Sequence, residues 1–192
     1  MKAVHRTATV ILLAAALGGG CGGERAPGPA PASHAAPGPL VAVNGEQVGD
    51  RVRAATNAVT MVHLWATWCP PCVREFPHIV RLRRQYHGEG LAVILISLDN
   101  VERREAVAAY LAEHGVDWET YIGTNVTAAF VENISPAWSG AIPTSLFYGP
   151  GGALLEAWEG ARSYDEHEQL VTSLLKAETT TNRLTRAGDE SG

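Results

Sequence analysis

Trp65-Ala66-Thr67-Trp68-Cys69-Pro70-Pro71-Cys72 sets two thiols three positions apart, between an apolar run and a segment with helical spacing. The preceding run, with Val59, Met61, Val62, Leu64 and Trp65, reads as a buried strand. Pro70 suits the first turn of a helix, where its missing N–H is not needed. Residues three apart on a helix share a face, so the two sulfurs lie within reach of a disulfide. Cys69 falls at the helix N-terminus, where backbone N–H groups and the helix dipole stabilise a thiolate. These features mark Cys69 as an attacking cysteine and Cys72 as the one that resolves a mixed disulfide.

A lone CxxC can also be half of a zinc site. Zinc needs two further ligands, and no second cysteine pair supplies them. His63 and His78 are the remaining candidates, and they stand at no recognised finger spacing. The expectation is therefore a redox pair and no metal. Neither Pro70 nor Pro71 carries an N–H, so two donors that would stabilise a Cys69 thiolate are missing. Less stabilisation of the reduced form predicts a reductant rather than a strong oxidant.

The chain of 192 residues is long enough for one domain with a substantial core, and 46% hydrophobic content suits a globular protein. Its formal charge is −5, and no basic patch points to nucleic acid. Residues 1–20 combine Lys2, His5 and Arg6 with the apolar run Ala8 to Leu17, too short to span a bilayer comfortably. They read as a signal peptide. Gly18, Gly19 and Gly20 then lead into Cys21, the third cysteine of the chain. Residues 21–39, rich in Pro, Ala and Gly, read as a linker without a core.

Residues 40–176 carry the expected domain. Leu40 to Val48 alternates around Asn44-Gly45, a hairpin turn signal. The catalytic helix should run from Pro70 to about Tyr86 with Cys72, Phe76 and Ile79 on its inner face, and Pro77 should kink it. Leu91 to Leu98 is a continuous apolar run, as in a central parallel strand. Val107, Tyr110, Leu111 and His114 make a helical stripe, and a short strand is expected at Thr120 to Ile122. Thr144 to Tyr148 and Ala153 to Trp158 read as an antiparallel pair joined by a glycine-rich turn. Ser163 to Glu166 is a capping box opening a last helix with Leu170, Val171, Leu174 and Leu175 on its apolar face. Residues 177–192 turn polar and read as a disordered tail.

WATWCPPC, Glu75-Phe76-Pro77 and Ile142-Pro143-Thr144 together resemble the thioredoxin superfamily, and most closely its membrane-tethered bacterial branch of TlpA/ResA-like oxidoreductases. The resemblance implies an α/β thioredoxin-like fold: a central mixed β-sheet flanked by helices, with an N-terminal β-hairpin extension. It implies a cis-proline at Pro143, with the backbone of Ile142 pairing with the substrate segment. A plain turn proline is the alternative. Glu75 looks like the glutamate such proteins place near the active site, where a carboxylate can raise thiol pKa values or take a proton; otherwise it is a solvated helix carboxylate. His63 occupies the strand position where thioredoxin has a buried aspartate, as a proton shuttle or as a satisfied core histidine. Trp65 and Trp68 are expected to shape the active-site surface, and Trp138 to meet a partner from its loop.

The start of the chain resembles a lipoprotein signal, with Cys21 as the lipidated residue, although Leu17 lies four rather than three positions before it. An ordinary secretory signal would leave Cys21 a stray thiol. The expectation is an extracytoplasmic, membrane-anchored thiol–disulfide oxidoreductase that reduces disulfides of secreted proteins, for instance in cytochrome c maturation. A membrane electron donor would recharge it, and the Cys69–Cys72 pair would be its only cofactor. The rivals are an oxidase or isomerase using the same site, and a metal-binding or non-catalytic thioredoxin-like module.

Overall fold

Every residue of strand β2, Val59–Trp65, is buried, because the strand lies inside a sheet covered on both faces. The structure is a computed structural model and describes residues 36–189. The signal peptide, Cys21 and nearly all of the linker expected from the sequence lie outside the described residues.

Six strands form one sheet in the order β1-β4-β3-β2-β5-β6, with β1 at Leu40–Val43, β3 at Leu91–Ser97, β4 at Thr120–Gly123, β5 at Thr144–Tyr148 and β6 at Leu154–Glu159. The first four strands in that order run parallel to one another. β5 pairs antiparallel with β2, and β6 antiparallel with β5. The sheet is therefore mixed, as expected, and β3 is the inner parallel strand that its unbroken apolar run implies.

Period-two alternation on the inner strands divides the core in two. On one face Met61, Trp65, Leu95 and Phe147 pack with Phe76 and Ile79 of helix α2 (Pro70–Tyr86), with Val107 and Leu111 of α3 (Arg104–Glu113) and with Val171 and Leu175 of α5 (Tyr164–Asp189). On the other, Val62, Leu64, Ile96 and Leu146 pack with Val48 and Val52 of α1 (Gly45–Ala54) and with Phe130 and Ile134 of α4 (Ala128–Ile134). This is a thioredoxin-like α/β architecture, with a strand leading into the core. Among the described residues, no helix is long and apolar enough to cross a membrane.

Two expectations are corrected. No hairpin forms around Asn44-Gly45, because Asn44 caps α1 instead. Its side chain accepts from the Gln47 N–H at 2.8 Å, and the Gln47 side chain accepts from the Asn44 N–H at 2.9 Å. That reciprocal capping box, with Val48 and Val52 buried four apart, makes the stretch helical. The extension is thus strand–helix rather than strand–turn–strand. Beyond Lys176, the expected tail instead continues α5 to Asp189. The hydroxyls of Thr179, Thr180 and Thr181 each donate to the carbonyl one turn back, which satisfies them within the helix.

Candidate active site

Strand β2 delivers Trp65, and the four residues after it reach the first turn of α2. The connecting turn is tied down by Asp99, which the sequence reading did not single out. Its buried carboxylate accepts from the Thr67 N–H at 2.8 Å, the Thr67 hydroxyl at 2.5 Å and the Ser97 hydroxyl at 2.8 Å. Three donors on one carboxylate fix the height of the loop two residues before Cys69. The signal was available in Ser97-Leu98-Asp99 at the end of an apolar strand, but its partner lies in the turn after β2, 32 positions earlier.

Cys69 is the N-cap of α2, and Pro70 and Pro71 occupy its first two positions. Cys69 and Cys72 are joined by a disulfide with Cα atoms 5.2 Å apart. The Cys72 N–H donates to Cys69 Sγ at 3.3 Å, so the first donor to reach that sulfur comes after both prolines. Cys69 is 5% exposed and Cys72 0%, so both are buried and, of the two, only Cys69 keeps any accessible surface. Trp68, beside them, is 58% exposed.

Opposite Cys69, the Ile142–Pro143 bond is cis, as the motif implied. The Ile142 carbonyl oxygen lies 3.8 Å from Cys69 Sγ. Trp138 does not face outward as expected. It is buried in the second core cluster, and its indole N–H donates to the Ala141 carbonyl at 2.7 Å, bracing the loop that leads to Pro143. Trp65 is also fully buried, packed at a tilt against the rings of Phe76 and Tyr110, and so supports the site from beneath rather than forming its surface.

Glu75 is not a solvated helix carboxylate. It sits one turn after Cys72 on the same inward face of α2 and is 2% exposed. Its Oε1 accepts from the Arg162 N–H at 3.1 Å and lies 3.4 Å from His167 Nε2. Burial pushes its carboxyl up to about 7, against the opposing pull of the Arg162 N–H. His63 is fully buried too, with Nδ1 3.0 Å from the Ser145 hydroxyl, its register partner on β5. Burial holds His63 down to about 3, helped by the nearby His167, so it is neutral at physiological pH. His167 on α5 was missed, since nothing in its local sequence separates it from an ordinary helix histidine. An acid titrating near neutrality beside a buried thiol can take or give a proton during exchange.

A strand running into a CxxC-capped helix, with a cis-proline facing the outer sulfur, is the site of a thioredoxin-like protein. Residues 28–145 match the Redoxin family, and the chain belongs to that family. It is 30% identical over 114 residues to the thiol-disulfide oxidoreductase ResA of Oceanobacillus iheyensis, a match covering 59% of this chain and 56% of that one. It is 21% identical over 118 residues to ResA of Bacillus subtilis, covering 62% of each chain. The matched region thus spans less than two thirds of either relative. Among solved structures, a thiol:disulfide interchange protein of the thioredoxin family from Chlorobium tepidum superposes with a TM-score of 0.55 at 22% identity, covering 73% of this chain and 98% of that one. That likeness supports the fold.

Proposed function

We propose that the protein is an extracytoplasmic thiol–disulfide oxidoreductase that reduces disulfides in secreted proteins. The observation that carries this reading is the asymmetry of the pair: Cys69 at the helix cap beside the cis-proline loop, Cys72 enclosed behind it. The names of the ResA relatives point to the same chemistry.

In the reduced protein, the Cys69 thiolate attacks a partner disulfide, forming a mixed disulfide and releasing one partner sulfur as a thiolate. Cys72 loses its proton, attacks Cys69 Sγ and closes the internal disulfide while the second partner sulfur leaves. Two electrons pass from the cysteine pair to the partner, and two protons end on the partner thiols. Glu75 is the acceptor for the Cys72 proton. Trp68 and the backbone of Ile142 receive the partner segment that bears the target cysteine. A membrane dithiol donor returns two electrons and two protons to Cys69 and Cys72. No other cofactor is required. The leader-like residues 1–20 and the cysteine that follows support attachment through a lipid at Cys21, and apocytochrome c is one substrate class such a reductase serves.

The test is the reduction potential of Cys69–Cys72 against defined thiol–disulfide buffers. A value below about −230 mV supports the reductase, and a value above about −150 mV identifies an oxidase or isomerase instead. Absence of a reversible couple would favour a binding module.

A further inference from the structure

On the sheet face covered by α2 and α5, four buried polar side chains from four elements form a chain. They are His63 on β2, Ser145 on β5, His167 on α5 and Glu75 on α2. The links are His63 Nδ1 to Ser145 Oγ at 3.0 Å, Ser145 Oγ to His167 Nε2 at 3.4 Å and His167 Nε2 to Glu75 Oε1 at 3.4 Å. The reaction outlined above uses only the last member.

The tautomer of His167 follows from its other nitrogen. Nδ1 lies 3.1 Å from the Ser163 carbonyl oxygen, which can only accept, so Nδ1 carries the hydrogen. In a neutral imidazole Nε2 is then a bare lone pair. It faces Glu75 Oε1, and the two side chains are 1% and 2% exposed. The Ser145 hydroxyl, 3.4 Å from the same nitrogen, can donate to it, but a carboxylate facing that lone pair out of water still repels it, and a proton held between Glu75 and His167 removes that repulsion. We propose that His167 is a positioning residue that holds a proton jointly with Glu75 and thereby sets when Glu75 can accept the proton of Cys72.

The surroundings agree. Burial lowers the basicity of His167, and His78 on α2 lowers it further, while the Ser163 carbonyl and Glu166 act the other way. Burial raises Glu75, so at rest the shared proton sits on the glutamate, and Glu75 takes the Cys72 proton as it passes this one across to His167 Nε2. His63 stays neutral behind Ser145, and the Trp158 ring on β6 meets the His167 ring at 5.7 Å and limits its rotation. Arg162 and Glu166 complete the charged groups that act on the pair.

The inference rests on the proposed oxidoreductase reading, and two measurements separate their failures. The first uses the reduced full chain with Cys21→Ser throughout, treated with dithiobis(nitrobenzoate). The first thionitrobenzoate released reports Cys69, and the second reports resolution by Cys72. The rate of the second release against pH should show a group near neutrality that Glu75→Gln removes. His167→Phe removes the acceptor that favours protonated Glu75, so that group should move acid-ward by about one pH unit, tenfold in proton affinity. In the Glu75→Gln background, His167→Phe should change neither rate nor profile. An unmoved profile, or effects that multiply in the double variant, would overturn the proposal. The second measurement needs no variant: nitrogen NMR of the wild-type His167 ring should show hydrogen on Nδ1 and a titration shared with Glu75. Hydrogen on Nε2 in the neutral ring would overturn it, even if the variant fails to fold. A wild type that releases no second thionitrobenzoate refutes the oxidoreductase reading, whereas the NMR result still decides the proton pair.

Discussion

Asp99 holds Thr67 through both its backbone N–H, at 2.8 Å, and its hydroxyl, at 2.5 Å. One buried carboxylate, two residues beyond the end of β3, therefore sets the position of the loop that carries Cys69. Asp99→Ala leaves the Thr67 N–H and hydroxyl and the Ser97 hydroxyl without their acceptor. Hydrogen bonds to a charged group are worth about 1.5–3 kcal/mol each, and leaving buried donors unpaired adds to that loss. Urea denaturation should show a loss of at least about 2 kcal/mol, with slower Cys69 exchange at a temperature where the variant is still folded. A variant as stable and as fast as wild type would show that the loop is held elsewhere.

The division between an outer and an inner sulfur makes the two serine variants behave differently. Cys69→Ser should abolish disulfide exchange altogether. Cys72→Ser should still attack but be unable to resolve, so it should accumulate a mixed disulfide visible by mass spectrometry and reversible with dithiothreitol. If Cys72→Ser turned over and Cys69→Ser formed the stable adduct, the roles would be reversed.

Burial raises Glu75 from the ordinary glutamate value of 4.5 to about 7 in the folded state. Between those values the native protein binds more protons than the unfolded chain, so stability falls as pH rises from about 4.5 to 7 through this group. Glu75→Gln removes the titration. At pH 8 the variant should gain stability on the order of 2 kcal/mol relative to wild type, and the gain should vanish near pH 4.5. A difference independent of pH would mean that Glu75 is not raised in the fold.

His63 works in the opposite direction. Its folded-state value is depressed to about 3 from 6.5, so its contribution is present above pH 6.5 and is lost as pH falls toward 3. His63→Gln should be less stable than wild type at pH 8 by about 1 kcal/mol, for the altered bond to Ser145. Below pH 6 that deficit should shrink and then reverse, since the variant has no buried imidazole to protonate. Thermal melts across pH 4–8 check this, and a constant deficit would refute it.

Much of the site was legible because its chemistry is local. Cys69, Pro70, Pro71, Cys72 and Glu75 lie within two helical turns, and Ile142-Pro143-Thr144 is a compact motif. Strand β3 was legible from its long apolar run, and β2 from the apolar residues Val59, Met61, Val62, Leu64 and Trp65 around Thr60 and His63. The errors came where one short signal supports two structures. Asn44-Gly45 is a turn dipeptide, but Asn44 is equally an N-cap, and only Gln47 three residues later with Val48 and Val52 tips it to a helix. The polar, threonine-rich continuation of α5 lacks an apolar stripe, yet threonine hydroxyls can bond back along a helix already nucleated by Leu170 to Leu175. Asp99, Trp138 and His167 were beyond local inspection for a different reason. Asp99 and His167 act on residues tens of positions away, brought close only by the sheet, and the burial of Trp138 depends on packing against strands remote in sequence.

Cys72 has no surface of its own. Thiols arriving from outside can therefore meet only Cys69, and the closing attack from within is unimolecular. How long a covalent complex survives is then timed by the chain itself, at the same pace in a dilute solution as in a crowded one.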